Sequence, residues 1–192
     1  MKHLQIIPGM LKYFPNMFGE QESVVLFKNL QHTLLWQEKS IIIFGREVMQ
    51  PRLVAWYGDE GIAYTYSGKT LTALPWTAEL MQIKDRVEAV SGETFNSVLC
   101  NYYRYGQDSM GWHSDDEKEL GEEPVIASVS FGAERKFVLK EKNGSDKTEL
   151  MLENGTLLLM YGKCQQHYKH ALPKSMRVSQ GRINLTFRRV KC

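Results

Sequence analysis

From Phe95 to Arg188 the chain is a succession of short strand-like runs, and that pattern limits the folds open to it more than any other feature. The runs are Ser97–Tyr103, Val125–Phe131, Arg135–Lys140, Thr148–Leu152, Thr156–Tyr161, Gln166–His170 and Arg182–Arg188. Turn signals separate some of them. Asn143-Gly144 and Asn154-Gly155 are two, and Asn-Gly is a strong signal for a two-residue hairpin. Seven or eight short strands spaced by turns predict an antiparallel sheet that is closed or folded into a sandwich, and a jelly roll of the cupin type is the natural candidate. A length of 192 residues suits one domain with one core.

The first half is less regular. Leu4–Ile7, ended by Pro8-Gly9, reads as a strand or a turn. Glu20–Leu35 is predicted helical, because Val24, Phe27, Leu30 and Leu34 recur at helical spacing behind acidic residues in the first turn. Ile41-Ile-Ile-Phe44-Gly45-Arg46 is either a buried strand or a strand whose tip carries an exposed apolar residue. Arg52–Trp76 is rich in aromatics, with turn signals at Gly58-Asp-Glu-Gly61 and Ser67-Gly68-Lys69. Aromatics on strands are ordinary sheet residues, and a base-stacking platform is the rarer alternative. Glu79–Val90 is a second predicted helix with Leu80, Ile83, Val87 and Val90 on one side, closed by Ser91-Gly92.

Composition bounds the function class. A 43% apolar content is that of an ordinary globular chain. No apolar run approaches the roughly 20 residues that span a bilayer, and the N-terminus lacks a long apolar segment of secretory type. No membrane partner is therefore expected. Cys100, Cys164 and Cys192 are odd in number and widely spaced, which fits a reducing intracellular compartment, cytoplasmic in a bacterium or nuclear in a eukaryote. With a net charge of +2, any affinity for nucleic acid must come from local positive charge.

Three stretches carry candidate chemistry. In Met110-Gly-Trp-His113-Ser-Asp115, strand alternation points His113 and Asp115 the same way. An imidazole and a carboxylate side by side are two thirds of a ferrous-iron facial triad. The third ligand would be His167 or His170, both within Gln166–His170, and periodicity does not choose between them. In Arg182-Ile-Asn-Leu-Thr-Phe-Arg188, the apolar residues share one face and Arg182, Asn184, Thr186 and Arg188 the other. Two arginines facing inward would be costly without an anion, and a guanidinium matches a carboxylate with two parallel hydrogen bonds. The alternative is a solvated polar face. Asn101 and Tyr103 likewise share a face, and with the arginines they suit a small keto acid.

Taken together, these motifs resemble the AlkB family of iron(II)- and 2-oxoglutarate-dependent nucleic-acid dealkylating dioxygenases. The resemblance rests on His113-Ser-Asp115-Asp-Glu117, Tyr168-Lys-His170-Ala-Leu-Pro173 and Arg182–Arg188, joined upstream by Asn101-Tyr-Tyr103, Pro51-Arg-Leu-Val-Ala-Trp-Tyr57-Gly-Asp59 and Tyr64-Thr-Tyr66-Ser67-Gly68. It is nearest to the DNA-repair branch. It implies a mainly β fold with flanking helices (α+β): a double-stranded β-helix, jelly-roll core over about residues 95–192, preceded over about 1–94 by an extension and a nucleotide-recognition lid. Iron(II) would be held by His113, Asp115 and His170. 2-Oxoglutarate would be bound by Asn101, Tyr103, Arg182, Asn184 and Arg188, with O2 as the second co-substrate.

The same resemblance implies oxidative demethylation of 1-methyladenine and 3-methylcytosine in single- or double-stranded DNA by a monomer, releasing formaldehyde, succinate and CO2. Substrate contacts would come from Phe44, Arg52, Tyr64, Tyr66, Ser67, Asp116 and Glu117. Phe44 would wedge into the stack as the base is flipped out, and Arg52 would meet phosphate or the lesion strand. An RNA demethylase with the same chemistry and a catalytically silent nucleic-acid-binding module are the alternatives. The loop Lys140–Glu149 carries three lysines and three acidic residues, a balance that argues against strong duplex binding.

Overall fold

The last strand, Arg182–Arg188, buries both of its faces, and each face meets a different partner. The computed structural model describes residues 2–43, 45–66 and 69–191. The N-terminal part supplies β1 (Leu4–Ile7), β2 (Leu11–Phe14), α1 (Glu20–Thr33), β3 (Gln37–Ile43), β4 (Arg46–Gly58), β5 (Ala63–Tyr66), β6 (Lys69–Thr72), β7 (Leu74–Pro75) and α2 (Ala78–Ser91). Eight strands follow. They are β8 (Ser97–Tyr103), β9 (Met110–His113), β10 (Ile126–Gly132), β11 (Arg135–Glu141), β12 (Lys147–Leu152), β13 (Thr156–Met160), β14 (Tyr168–Leu172) and β15 (Arg182–Arg188). A 3-10 turn, Lys118–Leu120, precedes β10, and a one-turn helix, α3 (Cys164–His167), precedes β14.

A nine-stranded sheet runs β1-β2-β13-β10-β15-β8-β4-β3, with β7 beside β4. A four-stranded sheet, β12-β11-β14-β9, lies opposite, and β5 and β6 pair on their own. Because side chains alternate across a strand, Ile183, Leu185 and Phe187 share a core with Val129, Phe131, Val98 and the helix residues Leu30, Leu80 and Ile83. The other face of β15 looks between the sheets. There Arg182, Asn184, Thr186 and Arg188 line a cavity roofed by Phe137 and Leu152 of the four-stranded sheet.

The expected jelly-roll arrangement of opposed antiparallel sheets is present, with local corrections. In α1 the buried positions are Ser23 and Leu30, whereas Val24 is 45% exposed. Leu30 and Leu34 are buried and Phe27 packs on the core as expected; only at the first turn does the buried position fall one residue earlier, where Ser23 packs beside Gly155. Neither Asn-Gly pair forms a two-residue hairpin. Asn143-Gly144 lies in a five-residue loop, Lys142–Asp146, whose ends are joined by Glu141 N–H to Asp146 O. Asn154-Gly155 carries the chain from one sheet to the other: Asn154 Oδ1 accepts from Gly132 N–H, and Gly155 N–H donates to Ser130 O. Residues before 95 contribute β1, β2, β3, β4 and β7 to the nine-stranded sheet. Among the described residues, no helix is long and apolar enough to cross a membrane.

Gly155 adopts φ +74, and a Cβ there would stand 2.3 Å from Ser23 Oγ and 2.6 Å from Phe18 O. Gly155→Ala should therefore lower unfolding stability by about 1–3 kcal/mol from backbone strain alone, read as a shifted urea midpoint at constant slope. An unchanged midpoint would show that the crossover has room to give.

Candidate metal centre

Antiparallel pairing of β9 with β14 sets His113 directly opposite His170 at the edge of the four-stranded sheet. Their ring centroids are 4.2 Å apart at 63°. Asp115 follows two residues after His113, just past the end of β9, and is buried. One donor atom from each of His113, Asp115 and His170 falls within 4.8 Å of the others. His167 is exposed on α3, outside this group, and its carbonyl accepts from Lys142 N–H. Strand alternation could not have separated the two histidines, because the run expected over Gln166–His170 is helical up to His167.

The protonation states suit a metal. Burial by itself would raise the Asp115 carboxyl, but Arg188, His170 and His113 outweigh it and hold the group below the usual carboxylate range. Arg188 donates directly to Asp115 Oδ1. Burial, with His113 close by, pushes His170 down to about 3, so its imidazole is neutral at physiological pH. Neutral imidazole and ionised carboxylate are the forms that bind a metal ion. Two imidazoles and one carboxylate form the donor set of the non-haem ferrous facial triad.

The neighbouring subsite is built by register. Tyr103 of β8 stands opposite Arg182 of β15, and Asn101 opposite Asn184. Across β10, Ser130 faces Asn184 and Ser128 faces Thr186. Arg182 is 2% exposed; Nη2 donates to Ser130 Oγ at 2.8 Å, and its guanidinium carbon lies 5.4 Å from the Tyr103 ring centroid. Burial lowers it to about 10, which leaves it cationic. Among the described residues it has no carboxylate partner, and its Nε, like that of Arg188, has no hydrogen-bond partner. The solvated-face alternative for β15 is thus ruled out. Asn184 donates to Ser128 Oγ and Val129 O and accepts from Thr186 Oγ1.

The expected substrate contacts are placed unevenly. Glu117 is partly buried, with Oε2 enclosed and unpartnered. Asp116 is exposed and ion-paired to Lys142 at 3.1 Å. Arg52 is a correction. It is 7% exposed, and its Nε donates to Asn101 Oδ1 at 2.7 Å. It therefore braces Asn101 from within instead of facing a phosphate surface. Tyr64 and Tyr66 lie on β5, opposite Leu71 and Lys69. Phe44 and Ser67 lie outside the described residues.

Some site residues escaped the sequence reading. Arg135, 1% exposed, donates to the carbonyls of Tyr105, Gly106, Asp108 and Pro173 and lies 5.9 Å from the Tyr103 ring. Its parity with Phe137 and Leu139 was a usable signal. So was that of Ser128 and Ser130, the small polar residues alternating through β10. Gln165, which accepts from Asp115 N–H, gave none.

The sequence pattern of the 2OG-Fe(II) oxygenase superfamily matches residues 10–188. Human alpha-ketoglutarate-dependent dioxygenase alkB homolog 3 is 40% identical over 187 residues, covering 92% of this chain and 65% of that protein. Mouse DNA oxidative demethylase ALKBH2 is 40% identical over 185 residues, covering 91% of this chain and 77% of that protein. The chain thus spans just under two thirds of the length of alkB homolog 3. The solved structure of OsALKBH1 is similar in fold, with a TM-score of 0.66 at 17% identity over 98% of this chain and 100% of the other.

Removing Asp115 takes away a candidate ligand and also leaves the partly buried Arg188 without its anion. Asp115→Ala should fail to retain ferrous iron under anaerobic titration, while His167→Ala should bind it as the unaltered protein does. Iron lost from the His167 variant would put the wrong histidine in the centre.

Proposed function

The chain belongs to the 2OG-Fe(II) oxygenase superfamily and, within it, to the AlkB family; on that premise we propose that it oxidatively demethylates ring nitrogens of damaged bases in DNA, 1-methyladenine and 3-methylcytosine above all. The observation that carries the reading is one cavity holding both the His113-Asp115-His170 group and a buried Arg182 without a counter-ion. Arg182 takes the distal carboxylate of 2-oxoglutarate, with Tyr103 and Asn184 at its side. Arg188 and Asn101 serve the carboxylate near the iron. Iron(II) held by His113, Asp115 and His170 would, with O2, supply the coupled oxidation of 2-oxoglutarate to succinate and CO2 and hydroxylation of the N-methyl group, whose product breaks down to formaldehyde and the repaired base.

The protein's share is to position the reactants and to exclude water. A methylated pairing edge is unreachable inside a duplex, so the base is flipped out, at a cost that the damage itself reduces. We assign Phe44, which follows β3 in the sequence, to the gap in the stack, and Tyr66 and His113 to the two faces of the flipped base. Glu117, with one enclosed and unpartnered oxygen, and Tyr64 serve its polar edge. The free buried thiols Cys100 and Cys164 support a reducing compartment.

Charge placement supports a phosphate-bearing substrate. Lys140–Glu149 is balanced in sequence but not in space. Glu149 pairs with Lys136, whereas Lys147, Lys140 and Lys169 stand directly opposite one another across β12, β11 and β14. All three are exposed, and among the described residues none has an ion-pair partner. Like charges directly opposite destabilise a sheet, and a phosphodiester backbone relieves that repulsion. Converting all three to glutamine should flatten the salt dependence of oligonucleotide binding by about 0.7–0.9 in log–log slope for each phosphate no longer neutralised. An unchanged slope would take the row out of the interface.

The deciding experiment mixes protein, ferrous iron and 2-oxoglutarate anaerobically with methylated single-stranded DNA, duplex DNA or RNA, and then admits air. Succinate and formaldehyde should form in equal amounts, with DNA preferred. Their absence would leave a silent binding module, and an RNA preference would replace the DNA reading. In the same assay Arg182→Met should raise the 2-oxoglutarate requirement about 10- to 100-fold, the worth of a lost charge-assisted hydrogen-bond pair.

A further inference from the structure

Asp115 has an unusual problem. Sheet pairing fixes His113 and His170, which sit opposite each other on β9 and β14. Asp115 lies past the end of β9, where no ladder reaches it. Its backbone N–H donates instead to a side chain, Gln165 Oε1, at 2.9 Å. Gln165 is 1% exposed. Only an oxygen can accept that N–H, which fixes the amide's orientation and directs Nε2 to Met160 Sδ at 3.4 Å.

We propose that Gln165 is a positioning residue for the metal centre: its buried carboxamide sets where the Asp115 carboxylate stands relative to His170. The inference rests on the reading that His113, Asp115 and His170 hold iron. Its strength is connectivity. Gln165 belongs to α3, which runs straight into β14, so only four residues separate it from His170. The hydrogen bond therefore closes a short ring that joins the carboxylate ligand to the imidazole ligand.

The flanks of Asp115 are tied to the same neighbourhood. Ser114 Oγ donates to Tyr168 O at 2.9 Å. Asp116 pairs with Lys142, whose own N–H donates to His167 O. Residue type matters at position 165. A carboxamide accepts the N–H without adding charge beside a carboxylate already paired with Arg188. It also leaves both Asp115 oxygens free for the guanidinium and the metal. An apolar side chain of the same length would fill the space but orphan the buried N–H, freeing the strand exit to drift.

The test is calorimetric titration of Co(II), an air-stable stand-in, into metal-free protein, with thermal melting of the same samples. Gln165→Met should weaken Co(II) binding about 10- to 100-fold, the usual effect of removing a group that orients a ligand. It should also alter the visible Co(II) spectrum while the metal-free melting temperature stays near that of the unaltered protein. Gln165→Glu keeps an acceptor oxygen, though with added charge, and should lose less affinity than Gln165→Met. Unchanged affinity in Gln165→Met, or equal losses in both variants, overturns the proposal. So does a loss that only tracks a fall in melting temperature. Should Gln165→Met fail to fold, Ser114→Ala must still weaken Co(II) binding several-fold, and full affinity there overturns it too. Unaltered protein that takes up no Co(II) would instead sink the metal-centre reading beneath it.

Discussion

The burial of Arg182, with Arg188 partly buried beyond it on the inner face of β15, is the constraint that the rest of the site depends on. Moving a guanidinium out of water costs several kcal/mol even after relaxation, and β15 does it fully at Arg182 and in part at Arg188. The two charges are handled differently. Arg188 is neutralised within the chain by Asp115. Among the described residues, Arg182 donates to Ser130 Oγ and lies against the face of Tyr103, with no carboxylate partner. A hydroxyl and an aromatic ring soften a buried cation without cancelling it, so the fold keeps one uncompensated positive charge at the end of a cavity. Such an arrangement persists where a ligand supplies the missing anion.

The fold meets this requirement through register. With β15 between β8 and β10, one shift of a residue would turn the arginines toward α1 and α2 and the isoleucine, leucine and phenylalanine into the cavity. Burial on both faces excludes that slip, since Ile183, Leu185 and Phe187 are all fully buried against the helix-side core. The apolar residues that never touch the site thereby fix which residues do.

Much of this was legible in the sequence. Alternation placed His113 with Asp115 and Arg182 with Arg188, because a strand's period of two is rigid wherever a strand exists. It failed where the period changed. The helical turn Cys164–His167 separates the two histidines in a way no strand rule could anticipate. The resemblance set Arg52 against phosphate or the lesion strand, and the fold instead gives its guanidinium Asn101 as a buried partner. Val24 belonged to a plausible apolar stripe, but the packing partner on that side is a tight crossover at Gly155 that accepts Ser23. Gln165 was invisible because its role depends on a chain segment 50 residues away.

Charge arithmetic ties the metal and acid subsites into one device. With the imidazoles counted in the neutral form that binds a metal, Arg182, Arg188 and Asp115 sum to +1 (2 − 1). A divalent ion raises this to +3, and a dianionic keto acid returns it to +1. In a buried site, where charges are screened far less than at the surface, the acid therefore gains from the metal being present, and the metal's local excess is relieved by the acid. Arg188 is the hinge of this coupling. It touches the carboxylate of the candidate metal centre while lying on the strand assigned to the co-substrate. Each subsite is electrostatically unfinished without the other, which is why the ligands of one and the arginines of the other share a single cavity.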